Sequence, residues 1–257
     1  MTQKDSVSAA VLVIGDEILS GRTRDTNSGH IADTLFSLGV DLREIRVVGD
    51  DVGEIAAALN ALRARFDYVF TTGGIGPTHD DVTADAVGAA FGVEVREDER
   101  AIAMLLERVR PQDLNEARRR MARIPLGAEL IENDVSKAPG FWIGNVVAMA
   151  GVPAIMKAML DRVAPKLDRG ARQHARVIAA GAIPEGAYAA ELSEIAQAYP
   201  ELSIGSYPSF RNDSFHNEIV ARGRDDDKLA AAAAAIESLL ERLRVGGADQ
   251  MRTKTVG

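Results

Sequence analysis

The chain contains no cysteine, which excludes disulfides, thiolate nucleophiles, iron–sulfur clusters and cysteine-ligated zinc. Histidine is scarce too: the 4 in the chain, His30, His79, His174 and His216, lie far apart, and no pair has the spacing of a local metal motif. Positive charge is in deficit, with 30 Lys plus Arg against 38 Asp plus Glu and a net charge of −8. Such a balance repels phosphate backbones and anionic lipid, so nucleic acid and membrane are not expected partners. Long apolar runs are missing as well. The run from Ala9 to Ile14 stops at Gly15-Asp16, too short for a signal-peptide core or a membrane span, and a cytoplasmic location is expected.

What remains is ordinary globular material: 257 residues, 46% hydrophobic and 26% charged, with 23 Gly and 9 Pro. That length suits a larger and a smaller domain. The apolar run Ala9–Ile14 reads as a strand buried on both faces of a parallel sheet. Ile31, Leu35 and Leu38 recur at helical spacing before Gly39, Val40 to Val48 reads as a second strand, and Ile55, Leu59 and Leu62 mark a second helix. Tyr68 to Thr72 is a third strand running into Gly73-Gly74-Ile75-Gly76. Alternation of this kind predicts an α/β fold, a three-layer mostly parallel sheet with its ligand crevice beyond the carboxyl ends of the strands. Residues 97–123 read as helix broken near Pro111, Phe141 to Ala150 as a strand, and Gly151-Val152-Pro153 as the start of a helix reaching Leu167.

The polar stretch 168–175 is the expected linker. The domain boundaries follow: 1–167, a second, smaller α+β domain of KH-like type over 175–245, and a flexible tail over 246–257.

The segment from Thr71 to Asp85 carries the strongest chemical signal. Glycines directly after a strand let the backbone turn its N–H groups towards an anion, and the helix beginning near Asp81 adds a positive dipole end. Carboxylates at Asp80 and Asp81 are misplaced beside bare phosphate, which points to a divalent cation bridging them to phosphate oxygens. Thr78 or Asp80 capping a helix is the bland alternative. The first strand delivers Gly15, Asp16, Glu17, Ser20, Gly21, Arg22, Arg24, Asp25 and Asn27 to one loop at the same sheet edge, with Thr26 read as a helix cap. The strand ending at Val48 brings Asp50, a candidate to meet other strand-end acids around one metal, and Asp51, a helix cap. His79 reads as a locally bonded loop residue rather than a general base, Trp142 as core, and Arg118-Arg119-Arg120 as a solvated helix face or oligomer contact.

Taken together, Gly15-Asp16-Glu17-Ile18-Leu19-Ser20-Gly21 with Asp25-Thr26-Asn27, then Thr72-Gly73-Gly74-Ile75-Gly76-Pro77-Thr78-His79-Asp80-Asp81, resemble the two main motifs of the molybdopterin-binding MoaB/Mog domain as found in the N-terminal region of the CinA (competence/damage-inducible protein A) family. Ala138-Pro139-Gly140-Phe141 and Gly151-Val152-Pro153 match further. Ile204-Gly205-Ser206-Tyr207-Pro208 resembles the small domain of CinA-like proteins and some eukaryotic FAD synthases.

The resemblance implies two chemistries. One is metal-dependent hydrolysis of a nucleotide pyrophosphate such as ADP-ribose or FAD, using Mg²⁺, Mn²⁺ or Co²⁺. The other is binding or adenylylation of molybdopterin. By matching position it implies Asp50 and Asp81 as catalytic carboxylates, Gly73, Gly74 and Gly76 as a phosphate nest, and Ser20, Gly21 and Asp25 as the opposing loop. Gly15, Asp16, Asn27, Thr72, Thr78, Pro139, Gly140, Gly151 and Pro153 complete the expected ligand-binding set, and homo-oligomers are implied. Two positions depart from the pattern: Ile155 stands where CinA-like chains often have an acid, and Ser136-Lys137 replaces the more usual Gly-Thr. These departures keep open a third reading, a scaffold whose pocket has lost its chemistry. The chain ends at Gly257, which leaves no room for the family's C-terminal amidase domain acting on nicotinamide mononucleotide, and that activity is expected to be absent.

Overall fold

The computed structural model describes residues 6–211 and 214–254, and the chain divides into two units, Met1–Ala171 and Arg172–Gly257. The first unit runs β1 (Val7–Ile14), α1 (Asp16–Leu19), α2 (Asn27–Ser37), β2 (Val40–Val48), α3 (Val52–Arg63), β3 (Tyr68–Thr72) and α4 (Thr83–Phe91). It continues through β4 (Val95–Glu97), α5 (Glu99–Leu106), α6 (Glu116–Arg120), β5 (Arg123–Pro125), β6 (Glu129–Ile131), β7 (Gly140–Ile143), β8 (Val146–Met149) and α7 (Pro153–Val163). Its central sheet has the order β2-β1-β3-β8-β7-β6. The first four strands are parallel, and β7 and β6 are antiparallel. This is the expected α/β architecture.

β1 explains the layering. Ala10, Leu12 and Ile14 face a core that includes Ile55, Leu59 and Leu62 of α3 and Ala86 and Val87 of α4. Ala9, Val11 and Val13 face the other, with Ile31 and Leu35 of α2 and Met156, Met159 and Leu160 of α7. Each fully buried Leu or Ile stabilises by about 1.5–3 kcal/mol, so covering both faces fixes the strand in the middle of the sandwich. Every parallel strand then points its carboxyl end to one edge, where the loops of interest lie.

One expectation needs correction. Phe141 to Ala150 is a β7–β8 hairpin rather than one strand, with Phe141 opposite Ala148 and Gly144 turning the chain at φ 57°. The turn is hidden because apolar residues flank it on both sides. Residues 97–123 hold α5 and α6 on either side of the expected break, flanked by the short strands β4 and β5, which pair antiparallel. The break at Pro111 is present as a short 3₁₀ turn with proline in its first positions.

The second unit comprises β9 (His174–Gly181), α8 (Glu185–Ala198), β10 (Ser203–Arg211), β11 (Ser214–Gly223) and α9 (Asp226–Lys254). Its antiparallel sheet, ordered β10-β11-β9, shares a core with the helices through Tyr188, Leu192, Ile219, Ala221, Ile236 and Leu240. α9 passes through Gly246 and Gly247 to Lys254, into the expected tail; residues 255–257 of that tail lie outside the described residues. Among the described residues no helix is long and apolar enough to cross a membrane.

Candidate functional site

The loop after β1 is tied to the end of β2 by backbone and carboxylate together. Gly15 N–H donates to the Val48 carbonyl at 3.1 Å, and Asp16 N–H donates to Asp50 Oδ2 at 2.9 Å. Burial pushes the Asp50 carboxyl above its ordinary value, the Asp16 N–H opposes that, and the nearby Asp16, Glu17 and Asp80 carboxylates reinforce it. Ser20 and Gly21 turn their N–H groups back onto the Asp16 and Ile18 carbonyls. Asp25 does the work expected of Thr26: its Oδ1 accepts from Asn27 N–H at 2.9 Å and Ser28 N–H at 3.2 Å, while the Thr26 side chain makes no capping bond to α2. Asp51 caps α3 as read, accepting from Glu54 N–H at 2.9 Å.

The glycine turn after β3 is built by close approach. Gly73 sits at φ 109°, and a Cβ there would fall 2.1 Å from the Ile14 carbonyl oxygen; only glycine fits without displacing β1. Thr83 Oγ1 holds the turn from α4 by donating to the Gly73 carbonyl at 2.8 Å. The Asp81 carboxylate closes it. Oδ1 accepts from Gly76 N–H at 2.7 Å, and Oδ2 from Thr78 N–H at 2.7 Å and Thr78 Oγ1 at 2.6 Å. Arg120 braces the outer side, donating to the carbonyls of Thr78 at 3.1 Å and Asp81 at 3.3 Å, a role the basic run did not reveal.

These bonds decide which amides of the expected nest remain unspent. Gly73 N–H is spent on the Met149 carbonyl at 3.1 Å and Gly76 N–H on Asp81. Among the described residues Gly74 and Ile75 are left with N–H groups that meet no acceptor. They border a cavity of about 500 Å³. Its other wall is the start of α7, where Gly151 and Val152 precede Pro153 at the first helical position. An 11-residue helix with its N-terminus at the wall adds a positive end suited to an anion. Glu17 and Thr23 close the cavity from the first loop, and Met121, Ile155 and Met159 give it an apolar side.

Thus Asp81, Gly73, Gly74, Gly76, Gly151 and Pro153 share one cavity, with Asp16 and Asp50 beside Glu17. Gly15, Ser20, Gly21, Asp25, Asn27, Thr72, Thr78 and Asp80 do not line it; they shape the loops around it. Gly140 is a packing residue, since a Cβ there would meet the Ala148 carbonyl oxygen at 2.4 Å, and Pro139 lines a small neighbouring recess with Gly74, Ile75 and Asp81. Ser136 and Ile155, the two departures, both lie on the cavity wall. Lys137, at φ 63°, turns its Nζ to Glu107 at 3.0 Å and Asp134 at 3.1 Å. The His79 side chain is 98% exposed, 3.8 Å from Asp80. Hydrogen bonding from Thr78 and from its own backbone holds the Asp80 carboxyl below its ordinary value. Trp142 packs edge-on against Tyr68, ring centroids 6.1 Å apart.

The site thus defines a class: an α/β domain with a cavity at the carboxyl edge of its parallel strands. The chain belongs to the family of the probable molybdopterin-binding domain, which matches residues 10–169. Residues 172–246 match the FAD synthase middle domain. A protein of Archaeoglobus fulgidus is 31% identical over 230 residues, spanning 90% of this chain and 96% of its own length. A probable FAD synthase of Caenorhabditis elegans is 30% identical over 91% of this chain, which spans about half, 50%, of that relative's length. The crystal structure of the protein CinA of unknown function from Thermoplasma acidophilum superposes with a TM-score of 0.60 at 36% identity, covering 63% of this chain and 99% of that one. The resemblance to the CinA N-terminal region is borne out.

Proposed function

We propose that this chain hydrolyses the phosphoanhydride of a nucleotide pyrophosphate, of ADP-ribose or FAD type, with a divalent cation. The observation that carries the reading is the cavity itself: unspent N–H groups of Gly74 and Ile75 on one wall, the N-terminus of α7 on the other, and Glu17 on the side of the first loop, with the Asp50 carboxyl near Glu17. Gly74 and Ile75 would hold phosphoryl oxygens and meet charge as it develops there. The apolar side at Met121, Ile155 and Met159 would take a ring of the ligand.

The donor set fits a hard cation. Asp50 keeps a carboxylate in a partly buried place that burial and neighbouring acids both disfavour, a cost that a cation relieves. Among the described residues no three His, Asp or Glu side chains gather into a metal cage. Asp50 with Asp80 supplies the one or two carboxylates that Mg²⁺ commonly takes alongside water and substrate phosphate. Once bound, the cation would neutralise phosphate charge and acidify an attacking water. Asp81 serves by holding the Gly74–Ile75 amides in place. The C. elegans relative's name, probable FAD synthase, and the middle-domain match favour a flavin nucleotide among the candidates.

The test is release of mononucleotide from ADP-ribose and FAD with Mg²⁺, Mn²⁺ or Co²⁺. The family match over residues 10–169 favours a second reading, binding or adenylylation of molybdopterin. A pterin retained through purification, with no mononucleotide release, would decide for it. Absence of nucleotide, pterin and metal binding would leave the scaffold.

A further inference from the structure

Asn27 opens α2 with its side chain buried at 6% exposure, behind the cavity rather than in its wall. Its Nδ2 donates to Thr72 Oγ1 at 2.7 Å and to the Gly151 carbonyl oxygen at 2.8 Å. A carbonyl has no hydrogen to give, so the nitrogen must be the atom facing Gly151, and the amide's orientation is fixed. Thr72 extends the link, its hydroxyl donating to the Ala150 carbonyl at 3.0 Å. Three hydrogen bonds therefore join the end of β3 to the end of β8 just where each chain turns into a wall of the cavity. The two turns nearly touch, since a Cβ on Gly151 would lie 3.3 Å from Gly73 Cα. Asn27 Oδ1 stays buried without a partner. The fold thus retains a polar group that burial disfavours, and its donor side alone is used.

We propose that Asn27 is a positioning residue: acting through Thr72 and Gly151, it sets the gap between the Gly74–Ile75 amides and the N-terminus of α7, and so the cavity's hold on a phosphate group. The second half of this proposal rests on the phosphate reading of the cavity. The first half, the clasp, stands on the hydrogen bonds.

Asn27→Asp preserves shape and replaces both donors with lone pairs. Oxygen then faces the Gly151 carbonyl, and the Thr72 hydroxyl is drawn from Ala150 to the new carboxylate. Thr72→Ser keeps the hydroxyl and is the conservative control. Thr72→Val removes it at constant shape, and serves if Asn27→Asp fails to fold.

Hydrogen exchange of the full chain and calorimetric binding of inorganic pyrophosphate with Mg²⁺ are the two readouts. Asn27→Asp is expected to speed amide exchange across 73–76 and 151–156 by about tenfold or more, tenfold being the scale of one lost hydrogen bond, with α3 unchanged. Pyrophosphate affinity is expected to fall by a similar factor, about tenfold, with Thr72→Ser matching the wild type in both readouts. A folded Asn27→Asp or Thr72→Val chain with wild-type exchange at both turns would overturn the proposal. Loosened turns with undiminished pyrophosphate affinity would overturn it equally. A wild-type chain that neither binds pyrophosphate nor cleaves a dinucleotide sinks the phosphate reading; the exchange rates then decide the clasp by themselves.

Discussion

The Asp81 carboxylate and the Gly76 backbone are joined at 2.7 Å, with Thr78 bound to the other carboxylate oxygen through both its N–H and its hydroxyl. Asp81 is therefore the keystone of the glycine turn. Its effect on chemistry runs first through the amides it holds and only then through any charge it lends to a bound cation.

Asp81→Asn sets an NH₂ group against one of these donors. Hydrogen bonds to a charged acceptor contribute about 1.5–3 kcal/mol each, so a stability loss of at least about 1.5 kcal/mol is expected from thermal unfolding. Turnover is expected to fall by about a hundredfold or more, as for loss of a preorganised stabilising group. Unchanged turnover would remove Asp81 from the account.

Asp50 gives a pH signature. Its carboxyl is raised from 3.8 in the fold, first by burial. The group therefore favours the fold while protonated, and that contribution disappears as pH rises through its folded value. Asp50→Asn keeps an acceptor for Asp16 N–H and never ionises. The variant is expected to gain thermal stability relative to the wild type as pH rises from about 3.5 to neutrality, the window set by the ordinary carboxyl value. Added Mg²⁺ is expected to stabilise the wild type and not the variant. Parallel melting curves across pH would show this, and curves that do not diverge would contradict it.

Gly73→Ala should prevent folding of the first unit or displace β1. The new Cβ would stand 2.1 Å from the Ile14 carbonyl oxygen at φ 109°, and backbone strain adds about 1–3 kcal/mol on top of the clash. Gly21→Ala is the control: its φ of 71° carries strain alone, with nothing within 4 Å of the added methyl. Circular dichroism melts of the two should differ sharply.

His79→Ala is expected to leave the pH–rate profile unchanged, because its side chain is 98% exposed and does not line the cavity. A lost limb in that profile would make His79 the base.

Much of the fold was legible because parallel strands buried on both faces announce themselves as apolar runs, as Ala9–Ile14 does. The β7–β8 hairpin was not, since Gly144-Asn145 is a turn embedded in one such run. β4 and β5 span too few residues to show a period. In the site, the glycines and Asp81 stood out, but their use did not. Which N–H groups remain unspent depends on Met149 and Asp81, partners that only the fold brings to Gly73 and Gly76. Met121 reaches the cavity from α6's end with no motif to mark it, and Ile155, in α7's first turn, stood out only as a departure from the motif's usual acid.

The central claim is most directly tested by following mononucleotide release from ADP-ribose and FAD with Mg²⁺, for the wild type and Asp81→Asn side by side. Release by the wild type that collapses in the variant, and in the wild type on chelation, is the predicted result. No release with any divalent cation, or release that Asp81→Asn leaves intact, would contradict the account.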